Sequence, residues 1–514
     1  MEKRVLISTR ISGAIALALF VFACAQVENS TSQKAQSEGA LLAQIHCVGC
    51  HQYPSPELLD KATWKNYILP RMGYMMGVLP IDSIGFSFME EEAIAAAFSN
   101  PMLFRAKATL NQKEWQAIAD FYLSEAPSSP ILATKNPIEK TLSQFKVKVP
   151  NIALSPPSST LVKFSKQNIL LGDANTKRIY FLNQNMDVLA AANTREGAVW
   201  VNEVPDGIVV TSMGSFSPTD KGSGLVMFLP SQQNQASKIL IDSLRRPVHT
   251  AIEDLDGDGI ADFVICEFSK WTGNLSWWKN DGKGKFTRNI LRDMPGATKA
   301  YIQDLNKDNL PDIIALFGQG DEGIFIYYNE GNGKFREERV LQFPPSYGSS
   351  YFNLFDYNGD EFPDLIYTNG DNADYPPIDK AYHGIRIFQN NGKNQFKEVF
   401  FYPLQGAYAA IANDFDQDGD LDIAAISFFP NYQTAPEESF VYLENKGRMQ
   451  FSASTFPTFS RGRWLVMDSG DMDNDGDTDL ILGALSFEVV PPNGLVEEWV
   501  KLGIPFIILE NTAK

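Results

Sequence analysis

Asp254-Leu255-Asp256-Gly257-Asp258-Gly259-Ile260-Ala261-Asp262-Phe263-Val264-Ile265 decides the fold, because the chain repeats it four more times: DLNKDNLPDIIA at 304–315, DYNGDEFPDLIY at 356–367, DFDQDGDLDIAA at 414–425 and DMDNDGDTDLIL at 471–482. The starts are 50, 52, 58 and 57 residues apart, and a period of that size marks a repeat architecture. Positions 1, 3, 5 and 9 are Asp254, Asp256, Asp258 and Asp262; Asp304, Asn306, Asp308 and Asp312; Asp356, Asn358, Asp360 and Asp364; Asp414, Asp416, Asp418 and Asp422; and Asp471, Asp473, Asp475 and Asp479. Alternation in a tight loop turns the first three oxygens toward one point, and the ninth position closes the shell as an apolar, strand-like run begins. A hard cation that takes about six to eight oxygens, Ca²⁺, suits such a set, so up to five ions are expected. The loops are not EF-hands, since position 12 lacks Glu and a strand follows where a helix would. Asn306 and Asn358 lower the charge of their loops, which should bind more weakly. Solvated acidic turns are the plain alternative, and five in the same phase speak against it.

Between the Asp loops a second element recurs, N-x-G-x-x-x-F, at 280–286, 329–335, 390–396 and 445–451. Asn and Gly supply the positive-φ positions of a tight hairpin and the Phe opens an outer strand. One unit then reads as Asp loop, inner strand, middle strand, hairpin and outer strand, a four-stranded blade. This pattern resembles the FG-GAP/VCBS repeats of integrin-α-like β-propellers over 250–514, and the same strand rhythm without the Asp loop runs through 169–183 and 207–230. At about 52 residues per blade, 151–514 allows seven blades. The last stops at Asn511, where its hairpin should begin, so its outer strand is expected from 145–149 or 160–164, which would remove the open sheet edges. Residues 129–150, with Pro130 and Pro137, read as a linker.

Upstream, His46-Cys47-Val48-Gly49-Cys50-His51 contains C-x-x-C-H, the pattern of covalent c-type haem attachment. Two thiols three positions apart can reach both vinyl groups of one porphyrin edge, which puts His51 beneath the iron. Four-ligand zinc lacks a second pair, since His249, His383 and Cys266 are isolated, and a thioredoxin-like pair lacks its βαβ surroundings. Residues 39–45, 61–72 and 111–124 read as helices, the last with Trp115, Ile118, Phe121 and Tyr122 on its apolar side. The helices and haem motif of 39–128 resemble a small class I cytochrome c domain, so the fold class expected is a small all-α cytochrome c followed by an all-β propeller. That resemblance implies one covalent haem c held by Cys47, Cys50 and His51, with a Met as sixth ligand. Met72 is the first choice and Met102 the second, with Met75, Met76 and Met89 competing; a Met stripe at helical spacing is also ordinary packing.

The first residues carry Lys3, Arg4 and Arg10 ahead of an apolar run from Ile11 to Phe22, the layout of an export signal over 1–23. Val21-Phe22-Ala23-Cys24 resembles the lipobox of bacterial lipoproteins, which implies lipidation at Cys24, a tether over 24–38 and membrane attachment on the periplasmic or cell-surface side. A plain signal cut near Ala23 or Ala25 is the alternative. The 514 residues carry a net charge of −18, which argues against nucleic acid as a partner. Positions 1, 3, 5 and 9 account for 18 of the 62 acidic residues, and without metal their carboxylates repel one another. The expected function is one-electron transfer between redox partner proteins outside the cytoplasm, with the propeller docking partners or binding a glycan or extracellular protein. A substrate-oxidising enzyme and a purely adhesive propeller are the alternatives; no catalytic constellation stands out. Trp277-Trp278 reads as core or rim, Cys266 as a buried thiol, and Tyr375-Pro376-Pro377 and Pro491-Pro492 as shaped turns.

Overall fold

The computed structural model describes residues 37–513 apart from 80–97, 99, 101–102, 106, 136, 166–167, 233–234, 374–377, 488–490 and 492–493. The expected export signal at 1–23, Cys24, Met89, Met102, Tyr375-Pro376-Pro377 and Pro492 lie outside the described residues. Seven four-stranded antiparallel sheets stand around one axis as a seven-bladed β-propeller. Second strands such as Asp312–Phe317 and Asp422–Ser427 are buried along their whole length, because each sheet packs on a neighbour through both faces. Outer strands such as Phe335–Gln342 are mostly exposed.

Two expectations about the blade need correcting. A strand precedes each Asp loop and is the innermost of its blade: Pro247–Glu253 pairs with Asp262–Glu267 across the first loop, and the other four loops repeat this. The run after the loop is therefore the second strand. Nor is 129–150 wholly a linker. Phe145–Lys148 pairs in register with Phe506–Asn511 and completes the last blade, the first of the two donors expected, while Ser159–Ser165 is the innermost strand of blade 1. Phe145 is buried against Phe415 and Tyr442. Closing the ring with an N-terminal strand leaves no open edge at the seam.

Loops joining first to second and third to fourth strands open on one face; the other connections open on the opposite face. All five Asp loops and the N-x-G hairpins share the first. In blades 1 and 2 the first strand ends at Ser165 and Val204 and the second begins at Asn168 and Gly207, so neither junction has room for an Asp loop.

The N-terminal region is helical. Glu38–His46, a run of helical segments from Lys61 to Met75, and Gln112–Glu125 enclose Ala43, Leu59, Trp64, Leu69, Trp115, Ile118 and Tyr122. Asn111 caps the last helix in a reciprocal box with Glu114. A Cβ at Gly39 would lie 2.0 Å from the Ala117 carbonyl oxygen, so the first and last helices cross at a glycine. Phe104 meets Trp271 in a loop of the face opposite the Asp loops, with ring centroids 5.8 Å apart. No helix among the described residues is long and apolar enough to cross a membrane.

Candidate functional site

Each Asp loop is first a self-bonded turn. The position-1 carboxylate accepts backbone amides four and five residues on: Asp258 and Gly259 onto Asp254, Asp308 and Asn309 onto Asp304, Asp360 and Glu361 onto Asp356, Asp418 and Gly419 onto Asp414, Asp475 and Gly476 onto Asp471. The position-5 carboxylate accepts the amide two residues on in all five loops.

The loops then divide. Carboxylate oxygens of Asp254, Asp256 and Asp262, of Asp414, Asp416 and Asp418, and of Asp471, Asp473 and Asp479 all approach within 4.8 Å of one another. Among the described residues the second and third loops form no such cluster. There the position-3 amides of Asn306 and Asn358 donate to Asp308 and Asp360 at 2.9 and 2.8 Å, so a neutral hydrogen bond holds the carboxylate that a cation would otherwise take. In the first loop the Lys279 amine contacts Asp256 and lies 3.2 Å from Asp258, which gives that loop a cation of its own.

The last two loops carry a further acid at position 7 that the spacing argument left out. Asp420 has one buried oxygen without a partner, and Asp477, 5% exposed, has two. Burial and the carboxylates of Asp475 and Asp479 push Asp477 up to about 6. A Ca²⁺ fits this donor set, because buried carboxylates that find no donor in the protein favour a metal or a proton.

Position 9 differs most from expectation. Asp262, Asp312, Asp364, Asp422 and Asp479 are fully buried, and one oxygen of each accepts the backbone amide of the hairpin Asn, from Asn280 through Asn329, Asn390 and Asn445 to Asn511, at 2.7–2.8 Å. The other oxygen accepts the amide of Leu305, Tyr357 or Met472, the Trp277 indole N–H, or the Tyr442 hydroxyl. Each hairpin Asn in turn donates its side-chain amide to the carbonyl just before that Asp. Position 9 thus staples loop to hairpin. Asp262 and Asp479 also lie among the clustered oxygens; Asp312, Asp364 and Asp422 do not.

At the C-x-x-C-H motif, Cys47–Gly49 forms one 3₁₀ turn after the first helix, and both thiols are free. Burial pushes the Cys47 thiol up to about 11, the opposite of the poised thiolate a redox pair needs. His51 Nδ1 lies 2.8 Å from the Gln52 carbonyl oxygen and donates to it in the neutral ring, which leaves Nε2 as the nitrogen open to a ligand. Burial holds the His51 pKa below its ordinary value. These features fit covalent haem. Met72 and Met76 pack in the same cluster as Cys47, whereas Met75 packs with Leu103 and Phe104. Trp277 and Cys266 are buried as expected.

Residues 254–315, 304–367 and 414–482 match the family model of the FG-GAP-like repeat. The chain therefore carries FG-GAP-like repeats within its propeller. No curated protein matches it in sequence. Among solved structures, the N-terminal domain of Nup159 aligns at 10% identity and TM-score 0.40 over 73% of this chain and 98% of that one. BBS1N in complex with ARL6DN aligns at 8% and 0.43 over 73% and 99%, and Saccharomyces cerevisiae Sqt1 at 7% and 0.43 over 71% and 98%. Likeness at that level carries no functional meaning.

Proposed function

We propose that the protein is an exported, lipid-anchored c-type cytochrome that transfers single electrons between partner proteins, with its FG-GAP propeller as a calcium-stabilised docking or ligand-binding platform. The observation that carries the redox part is the C-x-x-C-H turn itself, with two free thiols and a His51 whose Nδ1 lies against the Gln52 carbonyl. A haem bound through Cys47, Cys50 and His51 supplies a one-electron iron centre. The Gln52 carbonyl fixes the imidazole's tautomer and orientation, and Met72 or Met102 would supply a further ligand to the iron. The propeller part rests on the clustered carboxylates of the loops at 254, 414 and 471. Calcium is assigned first to the last two, where unpartnered acids wait, and most weakly to the two Asn loops.

A reduced-minus-oxidised spectrum and a haem stain on a denaturing gel, with protein from a strain that matures c-type cytochromes, test the redox reading. Covalent low-spin haem is the expected result. Absence of haem from correctly exported protein overturns it and leaves a calcium-binding propeller. Elemental analysis after dialysis tests the metal: bound calcium is expected, and Asp416→Asn with Asp473→Asn should lower its stoichiometry.

A further inference from the structure

The innermost strand of every blade carries the same bulge, after Ser159, Ala198, Pro247, Ala297, Ser349, Ala407 and Trp464. The first paired residues after it, Trp200, His249, Lys299 and Tyr351 in blades 2 to 5, are therefore equivalent, and two residues further on come Lys163, Tyr301 and Asp468 from blades 1, 4 and 7. These side chains meet although their blades are far apart in sequence. The Lys299 amine sits 4.0 Å from the Tyr351 ring centroid, 4.8 Å from that of Tyr301 and 5.4 Å from that of Trp200, and the Lys163 amine lies 5.5 Å from the same indole. The His249 ring lies against the Trp200 indole, tilted by 42° with centroids 4.2 Å apart.

The cluster is left unsatisfied. His249 is 4% exposed and neither ring nitrogen has a partner. Lys299 is 5% exposed, and neither amine forms a hydrogen bond or ion pair among the described residues. Asp468, which accepts the Phe164 amide at 2.9 Å, is the carboxylate that acts on both amines. Two potential cations face one anion at the axis of a chain whose net charge is −18. Lys163, Trp200, Tyr301, Tyr351 and Asp468 are only half-buried, so part of the cluster remains open to solvent.

A buried amine and imidazole without partners cost stability unless something completes them. We propose that the propeller's central channel binds a small carboxylate with a planar or apolar body, its carboxylate held by Lys299, Lys163 and His249 and its body against Trp200, Tyr301 and Tyr351. The proposal deepens the reading of the propeller as a ligand-binding platform and is independent of haem. Burial lowers the Lys299 amine to about 7, with Lys163 lowering it further and Asp468 opposing, so affinity for an anion should fall as pH rises above neutrality.

Calorimetry on the full, calcium-loaded chain with benzoate, acetate and inorganic phosphate is the test. Benzoate should bind saturably and more tightly than acetate, and Lys299→Met should weaken it by about tenfold or more, the worth of a charge-assisted hydrogen bond. Because Lys299→Met removes a buried charge while keeping bulk, it should be at least as stable as the parent; a structural amine would give the reverse. His249→Phe keeps the ring contact with Trp200 and serves as the second variant if Lys299→Met does not fold. Absence of saturable benzoate binding, binding that both variants leave unchanged, or phosphate binding without benzoate binding overturns the proposal. None of those outcomes touches the haem stain or the calcium content.

Discussion

At the residue scale, two kinds of aspartate share one repeat. Positions 1, 3 and 5 are half-buried or exposed, while position 9 is buried and saturated by donors from its own blade. Asp312→Ala should therefore orphan the Leu305 and Asn329 amides and cost about 2–4 kcal/mol, whether or not calcium is present. Denaturant unfolding with calcium and with chelator checks this: an equal loss in both identifies a staple, a loss seen only with calcium a ligand. Glu322 offers a pH signal. It is 1% exposed, and burial pushes its carboxyl from an ordinary 4.5 to about 7, against hydrogen bonds from Ser349 and Gly348 that favour the charged form. The native state thus binds this proton more tightly than the unfolded one, so the stability it contributes is complete below about pH 4.5 and lost as pH rises to about 7. The amount is of order 3 kcal/mol. Glu322→Gln imitates the protonated acid, and its unfolding free energy should be flatter over that window than the parent's.

At the element scale, the seam matters most. A last blade ending at Asn511 lacks an outer strand, and hydrophobic pattern alone left two donors for it. Register settles the choice: Phe145–Lys148 faces Asn511–Ile508, and Phe145 enters the core between blades 6 and 7. Phe145→Ala should cost about 3–5 kcal/mol, as for other buried aromatics. A loss of only a few tenths in a denaturant titration would make the segment a passive linker. The hairpins were legible because N-x-G-x-x-x-F carries its turn chemistry locally: Gly282 and Gly331 sit at φ 68° and 78°. The strand before each Asp loop was not, because its residues vary from Pro247–Glu253 to Ala407–Asn413 with what they meet at the axis rather than with any local rule.

For the whole molecule, the Asp loops lie on one face and the helical region packs against the other. Calcium removal should leave carboxylates in mutual repulsion only on the loop face. Hydrogen exchange with and without chelator is the readout. Protection should fall around 414–422 and 471–479 first, change little around 304–312 and 356–364 where Asn side chains already bond the carboxylates, and stay constant through 112–125. Uniform loosening of both faces would show that the loops are not local clamps.

The repeat, the blade count, the hairpins, the helices around the C-x-x-C-H motif and the acidic positions of the loops were all readable from the sequence, because each depends on neighbours a few residues away or on the spacing of the repeat. Asp420 and Asp477 were also within its reach, since they continue the alternation of positions 1, 3 and 5. It took the folded chain to show which loops gather their carboxylates, which Asp staples its loop to the hairpin, and which strand closes the ring. The fold alone brought Lys163, Trp200, His249, Lys299, Tyr351 and Asp468 to one axis. A propeller wraps its first strands around a common centre, so residues some 50 positions apart become neighbours by symmetry of the fold, and no local pattern encodes that meeting.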